Sequence, residues 1–278
     1  SLPHAASHGP VDRAVVLLTP DSLEVAHVAG HNKWSKIKHR KKVVDKRRSK
    51  AWTMCSRAII SAARQGGPDP NFNFALRAAM EEARYHNVPL ENVERAVKKG
   101  VGGGEGENYE AVRYEGYGPG GVPVIVDALT NNRARTAGDM RLIFADYEGK
   151  FGAAGCVSHQ FDHKGRIFVK APHAQEDSII EAALGAGADD VLKSEDDGGI
   201  EGFDVLTDPT TLTQVKAALV AAKLAVAESS FEMIPQTTVA VTGPSVKALL
   251  ELIEALEDNE DVKKVFTAAE IADADLPE

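Results

Sequence analysis

The 278 residues are 43% hydrophobic and 26% charged, enough apolar material for two or three folded domains and too little bias for a disordered chain. A formal net charge of -9 excludes a uniformly basic, phosphate-coating protein. Cys55 and Cys156 stand far apart without CxxC partners, which argues against a disulfide framework or dithiol redox site, and no apolar run approaches the ~20 residues that span a bilayer, so a cytoplasmic protein with no membrane partner is expected.

Residues 1–28 hold Pro3, Pro10 and Pro20 without sustained periodicity and are expected to form a poorly ordered leader. Residues 29–101 are assigned to a basic helical domain. Within it, Trp52, Cys55, Ile59, Ala62 and Ala63 recur at helical spacing from Asp45 to Arg64, ended by Gly66-Gly67-Pro68. A second helix is marked by Phe72, Leu76, Met80 and Ala83; a third begins at Pro89, carries Leu90, Val93 and Val97, and stops at Gly100. Three short amphipathic helices bury their stripes only against one another. The Gly102–Gly106 stretch is a linker by composition, which predicts a helical domain free to reorient.

Beyond the linker, Tyr109 to Glu115 and Val122 to Leu129 read as strands joined by the Gly116–Gly121 turn, followed by a helix from about Thr136 to Tyr147. From 156 to 236 the order is β-α-β-β-α-β: strands at 166–170, 190–192, 203–206 and 226–234, with helices at 176–184 and 212–222. That is the ferredoxin-like arrangement. The tail adds a strand at 238–241, a helix at 246–256 and a strand at 262–266, which complete the unit left unfinished before Cys156. The expected fold is therefore α+β, an N-terminal three-helix domain followed by two α/β domains of ferredoxin-like type. The third (156–236) is inserted into the second (102–155 plus 237–278).

Charge is sharply segregated. From Gly30 to Gly67 there are twelve cations against the single acid Asp45, a surplus of eleven, leaving roughly -20 on the remaining chain. Such polarity orients an encounter with a polyanion. The candidate nucleic-acid-binding residues are His31, Lys33, Trp34, Lys36, Lys38, His39, Arg40, Lys41, Lys42, Lys46, Arg47, Arg48 and Lys50: cations to neutralise phosphate, with Trp34 either stacking on an unpaired base or anchoring the helical core. Arg133 and Arg135, in Asn131-Asn132-Arg133-Ala134-Arg135-Thr136 at a strand-to-helix junction, form a second candidate anion-binding pair. Asn and Thr136 are read there as helix caps, and the arginines as facing either an anion or an acidic neighbour.

Signs of catalysis are weak. The 102–106 glycines lack the GxxxxGK[ST] spacing of a phosphate loop. Cys156, His159 and His163 form C-x2-H-x3-H without a second cysteine pair, a pattern more often structural than metal-binding. Glu195-Asp196-Asp197 lacks the alternating ligands of a calcium loop. The expectation is a non-enzyme, without cofactor, metal or small-molecule substrate.

The segment Ala29-Gly30-His31-Asn32-Lys33-Trp34-Ser35-Lys36-Ile37-Lys38-His39-Arg40-Lys41 resembles the opening of the YebC family, which includes the mitochondrial translational activator of cytochrome oxidase subunit I. Gln65-Gly66-Gly67-Pro68-Asp69-Pro70, Asn87-Val88-Pro89, Glu94-Arg95-Ala96, Tyr114-Glu115-Gly116-Tyr117-Gly118-Pro119-Gly120-Gly121 and Leu256-Glu257-Asp258-Asn259-Glu260-Asp261-Val262 follow in the family's order, so the resemblance covers about residues 29–272. It implies three domains, a helical one and two α/β ones, and a regulator of gene expression. The family's members are described as DNA-binding transcriptional regulators in some bacteria and ribosome-associated translation factors in others. Because the family opens at the position of Val28, residues 1–27 are expected to reflect an upstream start assignment. Two departures stand out: Asn131 and Ala134 replace the family's usual Asp and Asn, and Trp52 stands where Phe is common. A mixture of cations, Trp34 and histidines suits irregular RNA, whereas the 45–64 helix offers Arg47, Arg48 and Arg57 without neighbouring Asn or Gln for base edges. The expected partner is therefore ribosomal RNA or the ribosome, with duplex DNA as the alternative, and the oligomeric state is open.

Overall fold

A computed structural model describes residues 44–102, 108–172, 175–196 and 199–275. Helices α1 (Val44–Gly66), α2 (Phe74–Tyr85) and α3 (Leu90–Val101) form the first unit. Its core packs Cys55, Ile59, Ile60 and Ala63 of α1 against Leu76, Ala79 and Ala83 of α2 and Val93 and Ala96 of α3. Small side chains on facing stripes let the helices close: a Cβ at Gly100 would stand 2.7 Å from both the Ala63 Cβ and the Ile60 carbonyl oxygen.

Two residues expected in these stripes lie elsewhere. Phe72 is 85% exposed and Leu90 is 67% exposed. The reason is local: Asn73 caps α2, its side chain accepting from Leu76 N–H at 3.0 Å, so Phe72 falls before the helix and outside its periodicity.

Strands β1 (Glu110–Gly118) and β2 (Val122–Thr130) pair antiparallel across the Pro119–Gly121 turn, where Gly120 and Gly121 adopt φ of 75° and 76°. Helix α4 (Arg133–Asp146) and the short strand β3 (Lys150–Phe151) follow. The next unit runs β4 (Phe161–Lys170), α5 (Glu176–Gly185), β5 (Asp190–Glu195), β6 (Glu201–Thr207), α6 (Leu212–Ala221) and β7 (Ala225–Pro235). Its sheet order is β5-β6-β4-β7 with every neighbour antiparallel, the split ferredoxin-like arrangement expected, over a core of Ile167, Val169, Ile179, Phe203, Val205, Val215 and Leu219. The chain then returns through β8 (Val239–Val241), α7 (Pro244–Asp258), β9 (Val262–Thr267) and β10 (Ala269–Ile271). Strand β9 completes the earlier sheet, in the order β3-β1-β2-β9. Strand β8, expected in that sheet, instead pairs parallel with β10 as a separate two-stranded ribbon. Strand β9 forms the edge of the four-stranded sheet, and β8 pairs with the chain that follows it.

Strand β2 explains how three units meet. Val122, Val124, Val126 and Ala128 face α4 and α7, against Met140, Phe144, Leu249, Leu252 and Leu256. On the opposite face Ile125 joins Phe161, Met233 and Phe266 under the inserted unit, whereas Leu129 and Tyr109 join the helical core. Alternation puts successive residues on opposite faces, and a nearly continuous apolar run results when both faces are covered. Between the two covered ends, Arg113 of β1 and its register partner Asp127 form a bidentate pair of 2.7 and 2.9 Å.

The expected free reorientation of the helical unit is not what the structure displays. Ser61 Oγ donates to the Tyr109 carbonyl at 2.9 Å, Lys50 Nζ donates to the Glu257 carbonyl, and Lys263 and Lys216 pair with Glu82 and Glu81 at 3.0 Å each. Glycine composition forecasts the backbone freedom of a linker but says nothing about contacts made beyond it.

Gly116 marks a crossing where β1 runs under Phe144: a Cβ there would stand 2.6 Å from the Lys150 carbonyl oxygen and 2.7 Å from the Phe144 ring. Gly116→Ala is expected to lower stability by about 1–3 kcal/mol through overpacking. Urea unfolding checks this, with Gly138→Ala, where a Cβ meets nothing within 4 Å, as the control.

Candidate nucleic-acid interface

Of the basic segment, His31, Lys33, Trp34, Lys36, Lys38, His39, Arg40, Lys41 and Lys42 lie outside the described residues, as do the side chains of Lys46 and Arg47. Arg48 is exposed and lies over the Trp52 ring at 5.3 Å. The Trp52 indole N–H donates to the His86 carbonyl at 3.0 Å, tying α1 to the turn before α3. Lys50 is half-buried and directed at the C-terminus of α7.

Lys46, Arg47 and Arg48 occupy the first turns of α1, at the positive end of the helix dipole. Cations there oppose the dipole by about 0.3–1 kcal/mol each, so helix stability does not account for them.

At the second candidate surface the structure separates the two arginines. Asn132 is the cap of α4, accepting from Arg135 N–H at 3.1 Å; Thr136, read from sequence as a cap, is one turn inside and wholly buried. Arg133 is exposed. Arg135 Nη2 donates to Asp261 Oδ2 at 2.7 Å, so its facing group is an acidic neighbour.

Asp261, 1% exposed, is the centre of this region. Oδ2 also accepts from Thr136 Oγ at 2.7 Å and Thr130 Oγ at 3.1 Å, while Oδ1 accepts from Arg57 Nη1 at 2.7 Å. Arg57 comes from α1, further donates to the Glu260 carbonyl at 2.9 Å, and stacks over the Tyr109 ring at 5.2 Å. Burial pushes the Asp261 carboxyl up, but the hydrogen bonds from Arg135, Thr136 and Arg57 outweigh it and hold the group below the usual carboxylate range. One carboxylate thus joins the helical unit, α4 and the start of β9. In the sequence Asp261 stands out only as an acid at the start of a segment otherwise patterned as a strand, within the Leu256–Val262 motif.

Glu115 is a second buried carboxylate, accepting from the backbone N–H groups of Gly155, Val157 and Ser158 at 2.8–2.9 Å. Burial opposes its charge, yet those amides lower its pKa. Glu115 therefore fixes the loop that enters the inserted unit.

The C-x2-H-x3-H residues are dispersed in role. Cys156 packs beneath Ile125 and Phe161, His159 Nδ1 is 3.5 Å from the Gly155 carbonyl, and the His163 ring lies 5.4 Å from that of Phe231. Among the described residues no three His, Cys, Asp or Glu side chains gather where a metal would be held. Cys55 and Cys156 are free thiols. Burial pushes Cys55 up to about 12, so it is expected to resist iodoacetamide at pH 8 in the native protein and to react on unfolding, which mass spectrometry of labelled peptides would show.

Residues 32–103 match the TACO1/YebC protein N-terminal domain, and residues 109–269 match the TACO1/YebC second and third domain. The chain belongs to the TACO1/YebC family. A relative from Desulforamulus reducens, named a probable transcriptional regulatory protein, is 46% identical over 242 residues, covering 86% of this chain and 98% of its own. One of the same name from Paraburkholderia phytofirmans is 47% identical over 246 residues, covering 88% and 100%. The crystal structure of the conserved hypothetical protein Aq1575 from Aquifex aeolicus superposes with a TM-score of 0.77 at 40% identity, over 88% of this chain and all of that one. The TACO1/YebC fold is therefore shared along both the helical and the α/β units. Among the described residues no helix is long and apolar enough to cross a membrane.

Proposed function

We propose that this chain is a non-enzymatic, cytoplasmic regulator of gene expression that acts in translation, gripping ribosomal RNA through the basic segment 31–50. The observation that carries the reading is the charge segregation: twelve cations against one acid from Gly30 to Gly67, in a chain of net charge -9. The names borne by its relatives support a regulatory role.

Helix α1 supports RNA over duplex DNA. It is enclosed by α2, α3 and the β2 end, so its length is not free to lie in a major groove as a recognition helix does. Arg57, the arginine midway along α1, is engaged with Asp261. What remains for a polyanion is the arm and first turns, suited to phosphates of irregular RNA. The alternative, a sequence-specific DNA-binding transcriptional regulator, is favoured by the relatives' names.

Co-sedimentation with ribosomes across a salt series, beside a duplex-DNA binding assay in the same buffers, decides between them. Saturable ribosome binding that weakens with salt is expected. Tight duplex binding with ribosomes ignored would replace translation by transcription.

A further inference from the structure

Two runs of adjacent like charges tie the three units into a closed circuit. On α2, Glu81 pairs with Lys216 of α6 in the inserted unit and Glu82 pairs with Lys263 of β9, each at 3.0 Å. On β9, the next residue, Lys264, instead pairs with the buried Glu232 of β7. The divergence of the two lysines has a backbone cause. Asp127 of β2 stands opposite Lys264 and Ala128 opposite Val262, so Lys263 is the extra residue of a β-bulge and is re-aimed toward the helical unit.

The three joints of this circuit differ in kind. The helical unit is fixed to the α/β unit by the Arg57–Asp261 pair, with side chains 12% and 1% exposed, and by Tyr109 and Leu129 in the helical core. The inserted unit is fixed to the α/β unit by Phe161 and Met233, packed with Ile125 and Phe266. Both chain crossings lie at that one place: β4 starts and β7 ends side by side, Phe161 opposite Pro235, and Gln236 N–H donates to the Gln160 carbonyl at 2.9 Å. Two adjacent crossings make a neck on which a unit can swing while its own core stays intact. The helical and inserted units share no buried apolar cluster among the described residues. They meet through Lys216 and Glu81, whose side chains are 32% and 52% exposed.

We propose that this third joint is an electrostatic latch: the inserted unit swings on its neck, and the Lys216–Glu81 pair sets how it stands against the helical unit. Opening there uncovers none of the buried clusters. Opening at either other joint would strip Asp261 of its cation or expose the Phe161 and Met233 packing, both of which cost far more than an exposed ion pair. Such a pair shifts a two-state equilibrium by about two- to fivefold, and salt screens it. The latch therefore responds to ionic strength in a range where the buried joints hold.

The test is small-angle scattering of the full chain at roughly 0.1 M and 1 M salt, between which the screening length falls from about 10 Å to about 3 Å. The radius of gyration of the parent is expected to rise with salt. Lys216→Glu, which sets two carboxylates against each other, is expected to show the larger radius already at the lower salt. Glu81→Lys/Lys216→Glu, which rebuilds the pair with its signs exchanged, returns the parent's radius and its salt dependence. Thermal midpoints of the three proteins stay together, because the pair lies in no unit's core. Lys247→Glu, which reverses an exposed pair with Glu251 inside α7, leaves the radius unchanged. A Lys216→Glu profile that overlays the parent at the lower salt overturns the latch. So does an exchanged variant that keeps the larger radius, since the effect would then belong to the substitutions and not to the pair.

Discussion

Replacing Asp261 with alanine is expected to destabilise the fold by about 3–5 kcal/mol, the range for removing one partner of a buried ion pair. The side chain is 1% exposed and gathers Arg57, Arg135, Thr130 and Thr136. Its loss leaves the Arg57 guanidinium, 12% exposed, without its carboxylate and removes an acceptor from two buried hydroxyls, of which Thr136 keeps the Asn132 carbonyl at 3.1 Å. Urea unfolding gives the size. Asp261→Asn, which keeps an acceptor for the threonines, is expected to lose less, and a loss below about 1 kcal/mol for alanine would show that the cluster is not a structural centre. Because Arg57 belongs to α1, small-angle scattering should also report a larger radius for Asp261→Ala as the helical unit loosens.

The same group sets a pH dependence. Its folded pKa is depressed, so its contribution is complete above the unfolded aspartate value of about 3.9 and is lost as pH falls through the lower folded value. Glu115, also depressed, adds in the same direction. Stability of the parent chain is therefore expected to drop steeply below about pH 4, and Asp261→Asn to flatten that drop.

The second large effect is on binding. Reversing Lys36, Arg40 and Arg47 to glutamate is expected to weaken ribosome association on the order of a hundredfold or more, and to make the slope of log affinity against log salt shallower by about two, since each phosphate contact on single-stranded nucleic acid contributes about 0.7. Folding stability should be unaffected or slightly raised, because Arg47 in the first turn of α1 opposes the helix dipole. Unchanged affinity and slope would remove the arm from the interface and shift attention to the acidic domains as protein-docking surfaces.

Much of the fold is legible in the residues alone. The 3.6-residue recurrence of Cys55, Ile59, Ala62 and Ala63 defines α1, and all four are buried. The β-α-β-β-α-β succession of the inserted unit follows from alternating apolar patterns, because local periodicity encodes which face of each element is apolar. The segregated cations are equally a property of sequence. What periodicity does not carry is which nonlocal partner an element meets. Strand β8 reads as a member of the main sheet but pairs with β10, a partner that its own apolar pattern does not specify. Phe72 keeps helical spacing to Leu76 yet lies outside the helix, because the Asn73 cap fixes where the helix starts. Asp261 and Arg57, 204 residues apart, become partners only when α1 docks on the α/β unit. A charge's neighbours, and hence whether an arginine braces the fold or remains for an anion, depend on distances of a few ångströms that tertiary packing alone sets.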